Sequence, residues 1–315
     1  MDERDALRES FRRILQNDKD LAGRLDLMRG LTTQEEMKST VRGVQERVGA
    51  LEGRGEDSQL ALETIVNRVG RPVLEVKDDD FVVEGAEAAI WDQRLANTTV
   101  RAALRRVIPS VGRIEVDNHP DLTWVGTGWL IADDVVVTNR HVASEFAALS
   151  LTAAGRSFVF KRGFPDRQSR MAARVDFRRE LRNNSPRAFR VVDVLHIEDE
   201  DGLDFAFLRV ESPGASGPLS PTLRASSLPT EAAEFVATIG YPAADSRLPD
   251  QELMNRLFGD KYNVKRLAPG QVMRLDDDLL MHDCSTLGGN SGSPIVDLVQ
   301  DQATCCSRRS SCSQP

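Results

Sequence analysis

Cysteine is scarce in this chain. Four of 315 residues are Cys, and three of them, Cys305, Cys306 and Cys312, crowd the last dozen positions. Cys284 stands alone before them, so a disulfide-stapled secreted fold is not expected, and a reducing cytoplasm suits the chain better. Long apolar runs are missing too. No stretch approaches the ~18 residues of a membrane span, so no membrane partner is expected. The start, Met1-Asp2-Glu3-Arg4-Asp5, is charged with no apolar run behind it, which argues against a signal peptide. There are only four histidines. No His/Cys/Asp cluster has metal-ligand spacing, so neither a metal nor another cofactor is expected. Basic residues are outnumbered, 41 Lys and Arg against 49 Asp and Glu, and the net charge of −8 argues against a general nucleic-acid binder. What remains is a globular composition, 40% hydrophobic and 29% charged, with room for about two domains.

The most informative stretch is Gly288-Gly289-Asn290-Ser291-Gly292-Ser293-Pro294. A serine between glycines at a tight turn is what a nucleophilic hydroxyl needs, because glycine reaches positive φ and lets a substrate approach. Such a turn also gathers the N–H groups of Gly289 and Ser291 into one space, where an oxyanion is held. Two upstream segments supply the partners. In one, a hairpin is predicted over 124–138 with its turn at Asp133-Asp134, and His141 follows its second strand. In the other, Asp204 precedes the apolar strand Ala206-Phe207-Leu208-Arg209-Val210, where a part-buried carboxylate requires a donor such as an imidazole N–H. Together they form a charge-assisted nucleophile: His141 takes the Ser291 proton, Asp204 orients the ring, and the Gly289 and Ser291 N–H groups hold the oxyanion. The chain order His, Asp, Ser separates this set from α/β-hydrolases and subtilisins. His119, His196 and His282 are read as structural.

Thr138-Asn139-Arg140-His141-Val142-Ala143, Asp204-Phe205-Ala206-Phe207-Leu208 and Gly289-Asn290-Ser291-Gly292-Ser293-Pro294 resemble the three signatures of bacterial trypsin-like serine peptidases. The nearest branches are the V8-like glutamyl endopeptidases and, more distantly, the HtrA-type proteases. The resemblance covers about residues 105 to 298. It implies a mainly β, chymotrypsin-like fold of two six-stranded antiparallel barrels, with His141 and Asp204 from the first and Ser291 from the second. It also implies a polypeptide substrate and a specificity-pocket wall built from Ser285, Thr286 and Leu287. Thr286 matches a threonine that glutamyl endopeptidases use to bind a substrate carboxylate, while their later histidine has no visible counterpart. Asn290 stands where zymogen-type proteases carry aspartate, so no activation by N-terminal insertion is expected.

The rest of the chain divides by composition. Residues 1–70 show three helical patterns. Thr33-Gln34-Glu35-Glu36 is a capping box, and Met37, Val41, Val44, Val48 and Leu51 follow at a/d spacing. That region is either a small helical bundle or a module for self-association or adaptor binding. Residues 71–110 read as linker and docking helices, with a solvated turn at Asp78-Asp79-Asp80 and Trp91 as the docking side chain. The peptidase domain is expected over 111–299, with barrel 1 about 111–225 and barrel 2 about 226–299. Arginine-rich residues 162–190 read as a long surface loop. The apolar pattern stops near Val299, and 300–315 reads as a disordered or aberrant tail, leaving the second barrel without its last strand. Two functions follow from these readings. One is a serine endopeptidase. The other is a catalytically impaired, truncated protease domain that acts as a binding or assembly module through its helical N-terminus.

Overall fold

The structure is a computed structural model that describes residues 71–83, 89–152, 155–165, 168–183, 185–200, 203–211, 224–225, 235–244, 251–276, 279–298 and 304–305. The chain divides into two units, Met1–Ala61 and Leu62–Pro315. The expected helices of 1–70, and all of the expected tail except 304–305, lie outside the described residues.

Strands β1 (Leu74–Lys77) and β2 (Asp80–Val82) come first, followed by helices α1 (Ala89–Leu95) and α2 (Thr98–Val107) and a 3-10 turn at Ile108–Ser110. The next segment runs β3 (Val111–Asp117), β4 (Trp124–Ala132), β5 (Val135–Thr138), α3 (Arg140–Phe146), β6 (Ala147–Thr152), β7 (Gly155–Phe160), β8 (Ala172–Asp176), β9 (Ala188–Ile197) and β10 (Ala206–Val210). The last segment runs β11 (Arg224–Ala225), β12 (Phe235–Gly240), α4 (Gln251–Phe258), β13 (Arg266–Asp276), β14 (Leu279–His282), β15 (Ile295–Asp297) and β16 (Thr304–Cys305).

The predicted hairpin is β4–β5, and it is central to a closed antiparallel barrel in the order β10-β5-β4-β3-β8-β9. Ile114, Leu130, Val136, Val175 and Leu208 fill its interior. The second sheet runs β11-β16-β15-β12-β13-β1-β2, with β14 also on β13. It covers a core that includes Val236, Phe258, Val272, Leu287 and Ile295. A third cluster joins the two sheets through Trp129 and Val137 of the first and Ile239, Tyr241 and Val296 of the second, with Trp91, Leu104 and Ile108 packed on them. This is the chymotrypsin-like double-barrel arrangement. Among the described residues only the first barrel is closed.

Three features differ from the sequence expectation. Residues 74–82 are not linker: β1 pairs with β13 (Leu74↔Leu267), and β1–β2 turn through Asp78 and Asp79, at φ 53° and 59°. Two positive φ values in a two-residue loop mark a type I′ turn, whose twist matches a hairpin. Residues 162–190 are not simply a surface loop, because β8 is a barrel strand between β3 and β9. The arginines there are drawn to buried acids. Arg174 Nε and Arg179 Nε donate to Glu115 at 2.8 Å each, and Arg179 Nε lies 3.0 Å from Asp176. Burial would raise the Glu115 pKa, but hydrogen bonds from Arg113 and Arg179 outweigh it and hold the group below the usual carboxylate range. Finally, Thr304–Cys305 in the expected tail forms a short strand that pairs with β15 and β11.

Candidate active site

His141 lies in the first turn of α3, just past the end of β5. Asn139 occupies the N-cap position, yet its side chain makes no cap bond to the helix. Its amide instead donates to Asp204 Oδ2 at 2.8 Å. Asp204 compensates from outside: its Oδ1 accepts from the His141 main-chain N–H at 3.2 Å, one of the donors that a helix start leaves open. The same carboxylate lies 2.7 Å from His141 Nδ1 through Oδ2. Sheet register produces this meeting. Ala206 pairs with Thr138, so two further residues along the antiparallel ladder Asp204 falls beside Arg140 and His141. Burial works to raise the Asp204 pKa, but the hydrogen bond and charge of His141, with the Asn139 amide, push it far below the usual carboxylate range. The group is therefore an anion at any working pH. An anion on Nδ1 keeps the proton there and leaves Nε2 as the basic nitrogen.

The serine loop is built from two linked turns. Asn290 N–H donates to Leu287 O at 3.0 Å, and Ser293 N–H to Asn290 O at 2.8 Å. The third residue of each turn is glycine, Gly289 at φ +89° and Gly292 at φ +85°. An i to i+3 bond with positive φ only at the third position is a type II turn, which favours glycine there. A Cβ on Gly289 would lie 2.5 Å from Tyr241 O, and one on Gly292 would lie 2.5 Å from Thr138 Oγ1. Alanine at either position would meet both strain and overlap.

The loop is fastened to the first barrel at Thr127, a fully buried residue of β4. Its N–H donates to Ser291 O at 2.8 Å. Its hydroxyl donates to Gly289 O at 2.8 Å and accepts from Tyr241 N–H at 3.3 Å, while its own carbonyl accepts from Thr138 Oγ1 at 2.7 Å. Gly292 would touch Thr127 O and Asn139 N if it carried a side chain. Ser291 is thus held against the strand ends that lead into His141. On the other side, Ala243 N–H donates to Gly288 O at 2.7 Å.

Ser285, Thr286 and Leu287 are placed in the interior. Ser285 Oγ donates to Arg71 O at 2.9 Å, and Leu287 packs with Val73, Val236 and Ile295. Beside them, Arg71 pairs with Asp283 at 2.5 Å. The other histidines are engaged locally. His119 Nδ1 accepts from Leu122 N–H at 2.9 Å, His196 Nε2 lies 3.1 Å from Glu198 Oε2, and buried His282 accepts from Cys284 N–H at 3.2 Å. Among the described residues, no group of three or more His, Cys, Asp or Glu could hold a metal ion, and no helix is long and apolar enough to cross a membrane.

Residues 126–303, which include every one of these groups from Thr127 to Ser293, match the trypsin-like peptidase domain. The chain belongs to that family. A probable serine protease of Lysobacter enzymogenes is 28% identical over 274 residues, 78% of this chain and 68% of that protein. The serine endoprotease from Yersinia pestis has a TM-score of 0.40 at 16% identity, over 64% of this chain and 54% of that one. This chain therefore spans about half the length of that solved structure. Deg5 gives a TM-score of 0.39 at 17% identity, over 70% of this chain and 84% of that one. In this trypsin-like peptidase domain, sequence motifs pointed to His141, Asp204 and Ser291 but missed Thr127, Asn139 and Tyr241. Thr127 carried one signal, a hydroxyl between two glycines in a buried strand. Asn139 carried another, a polar amide next to the candidate base.

Proposed function

We propose that this chain is a serine endopeptidase in which His141, Asp204 and Ser291 form the catalytic triad, in the branch of the V8-like and HtrA-like enzymes. The observation that carries the reading is the 2.7 Å bond between His141 Nδ1 and Asp204 Oδ2, in a carboxylate that also holds Asn139. Neutral His141 takes the hydroxyl proton of Ser291 on Nε2 as Oγ attacks the peptide carbonyl. The imidazolium is stabilised by Asp204, and the oxyanion is held by the N–H groups of Gly289 and Ser291. Collapse of the tetrahedral species breaks the C–N bond, the Nε2 proton goes to the leaving amine, and an acyl-Ser291 ester remains. Water, activated by the same histidine, hydrolyses that ester. The branch is supported by Asn290: it is neutral, and its side chain lies against Gly240 rather than offering a carboxylate to a new N-terminus. The buried free thiol of Cys284 fits the cytoplasmic setting proposed with it.

The test is labelling with a fluorophosphonate, which reacts with an activated serine. Wild-type protein is expected to be labelled and Ser291→Ala is not. Folded wild-type protein that resists the reagent would sink the reading.

A further inference from the structure

An N-cap asparagine ordinarily turns its side-chain oxygen onto the N–H of the second or third helical residue. At the start of α3 another group takes that place. Asn139 makes no cap bond, and Asp204 Oδ1 instead accepts the N–H of His141, the second helical residue, at 3.2 Å. The Asn139 side chain is turned the other way, its amide donating to Asp204 Oδ2 at 2.8 Å. Its main chain is fixed on both sides: Thr138 before it pairs with Ala206, and Asn139 O accepts from Ala143 N–H at 3.1 Å. The backbone holds Asp204 less firmly. That residue lies outside β10, at the centre of a three-residue turn closed by Phe205 N–H on Leu203 O at 3.0 Å. Such a turn closes on one hydrogen bond, so the aim of the carboxylate depends on its side-chain partners.

Among the described residues three hydrogen bonds reach that carboxylate, and two of them come from His141. Those two tie the acid to the histidine, and the bond from Nδ1 moves with the ring. Arg140 Nε, 4.0 Å from Oδ1, is beyond hydrogen-bond reach. The Asn139 amide therefore refers Oδ2 to the end of β5, independently of the imidazole, and a carboxylate oxygen has room for both donors. We propose that Asn139 is a positioning residue for peptide hydrolysis: its amide holds Asp204 Oδ2 where His141 Nδ1–H meets it while the ring takes and returns the serine proton. The proposal rests on reading His141, Asp204 and Ser291 as the triad. Asn139 acts through Asp204 and touches neither substrate nor the reacting atoms. As Nε2 gains the proton of Ser291, the ring becomes cationic and its bond to the anion strengthens. A carboxylate out of line is thus felt in the transition state more than in the bound substrate, and the loss falls on kcat.

The experiment compares wild type, Asn139→Leu, Asp204→Ala and the double variant. Leucine is close to asparagine in shape and carries no donor, and because Asn139 makes no cap bond its replacement removes none from α3. Measured quantities are the thermal midpoint, kcat and KM on a peptide substrate, and the fluorophosphonate labelling rate. A hydrogen bond to a charged group is of the stronger kind, so Asn139→Leu is expected to lose about 10-fold to 100-fold in kcat with KM within about twofold. In the Asp204→Ala background the same substitution is expected to change the labelling rate by less than about twofold, because the amide has nothing left to hold. If Asn139→Leu does not fold, Asn139→Ala removes the same donor and is read the same way. A folded Asn139 variant with wild-type kcat overturns the proposal, as does one whose loss lies in KM. Equal losses in the two backgrounds also overturn it, since Asn139 would then act on something other than Asp204. If neither Asn139 variant folds while Asp204→Ala does, the residue serves the fold and the positioning role is rejected. Failure of the underlying reading looks different: wild-type protein would resist labelling, or Asp204→Ala would be labelled as fast as wild type.

Discussion

Asp204 receives three donors: the ring N–H of His141, the main-chain N–H of the same residue and the Asn139 amide. A carboxylate has acceptor sites for all of them, while an asparagine has one acceptor oxygen and brings two donors of its own. Asp204→Asn therefore turns an N–H against Asn139 or against Nδ1 and favours the wrong tautomer of His141. The expected outcome is a kcat lowered by about 10⁴ with KM little changed, measured by peptide hydrolysis. The three candidate residues were visible in the linear chain because their chemistry limits what can replace them. Thr127 and Asn139 were not, since hydroxyls and amides are common and only the partners give them meaning. The partner of Thr127 is 162 positions away.

At the scale of elements, α1 illustrates how a short helix is held. Seven residues are too few for a stable helix in water, so its order depends on docking. Trp91 supplies the docking surface: it is buried, it meets Phe235 edge to face at 5.5 Å between centroids, and Arg71 lies 5.4 Å over its ring. Trp91→Ala is expected to cost about 3 to 5 kcal/mol, seen as a lower urea midpoint. That is a large share of the roughly 5 to 15 kcal/mol that stabilises a domain. This docking side chain and the β4–β5 hairpin were legible because apolar spacing and turn residues are local signals. The strand β8 was not. Arginine content read as solvent exposure, and Glu115, the acid that draws Arg174 and Arg179 inward, comes 59 and 64 positions earlier. Likewise β1–β2 read as linker, because a short hairpin gains its stability from the edge of β13, far along the chain.

The whole molecule joins two sheets through buried polar groups as well as apolar ones. Lys265 Nζ donates to Ile108 O at 2.9 Å and Phe177 O at 2.8 Å, and Tyr241 OH donates to Arg178 O at 2.9 Å. Burial pushes Lys265 down to about 7, even though Glu180 and Asp79 act the other way. Stability of the whole should depend on pH through His282, whose pKa burial pushes down to about 4, with Asp283 opposing. The unfolded chain takes up that proton near 6.5, while the folded chain refuses it until about 4. Unfolding is thus favoured as pH falls through that interval, and the contribution is fully present only above it. Asp204, also lowered, adds a loss at more acid pH as the unfolded chain protonates first. The thermal midpoint is expected to fall between pH 6.5 and 4, with a shallower fall in His282→Asn, which keeps an acceptor for Cys284 N–H. Equal slopes in the two proteins would refute the assignment. Residue chemistry and short-range pattern, read along the chain, were enough for the order His, Asp, Ser and the main hairpin, and the resemblance of three motifs to trypsin-like peptidases implied the fold class. The packed fold alone sets which carbonyls of the serine loop are held and by whom, where the buried acids draw their arginines, and which edge receives β1. Those depend on hydrogen bonds between residues remote in sequence, and no local periodicity encodes them.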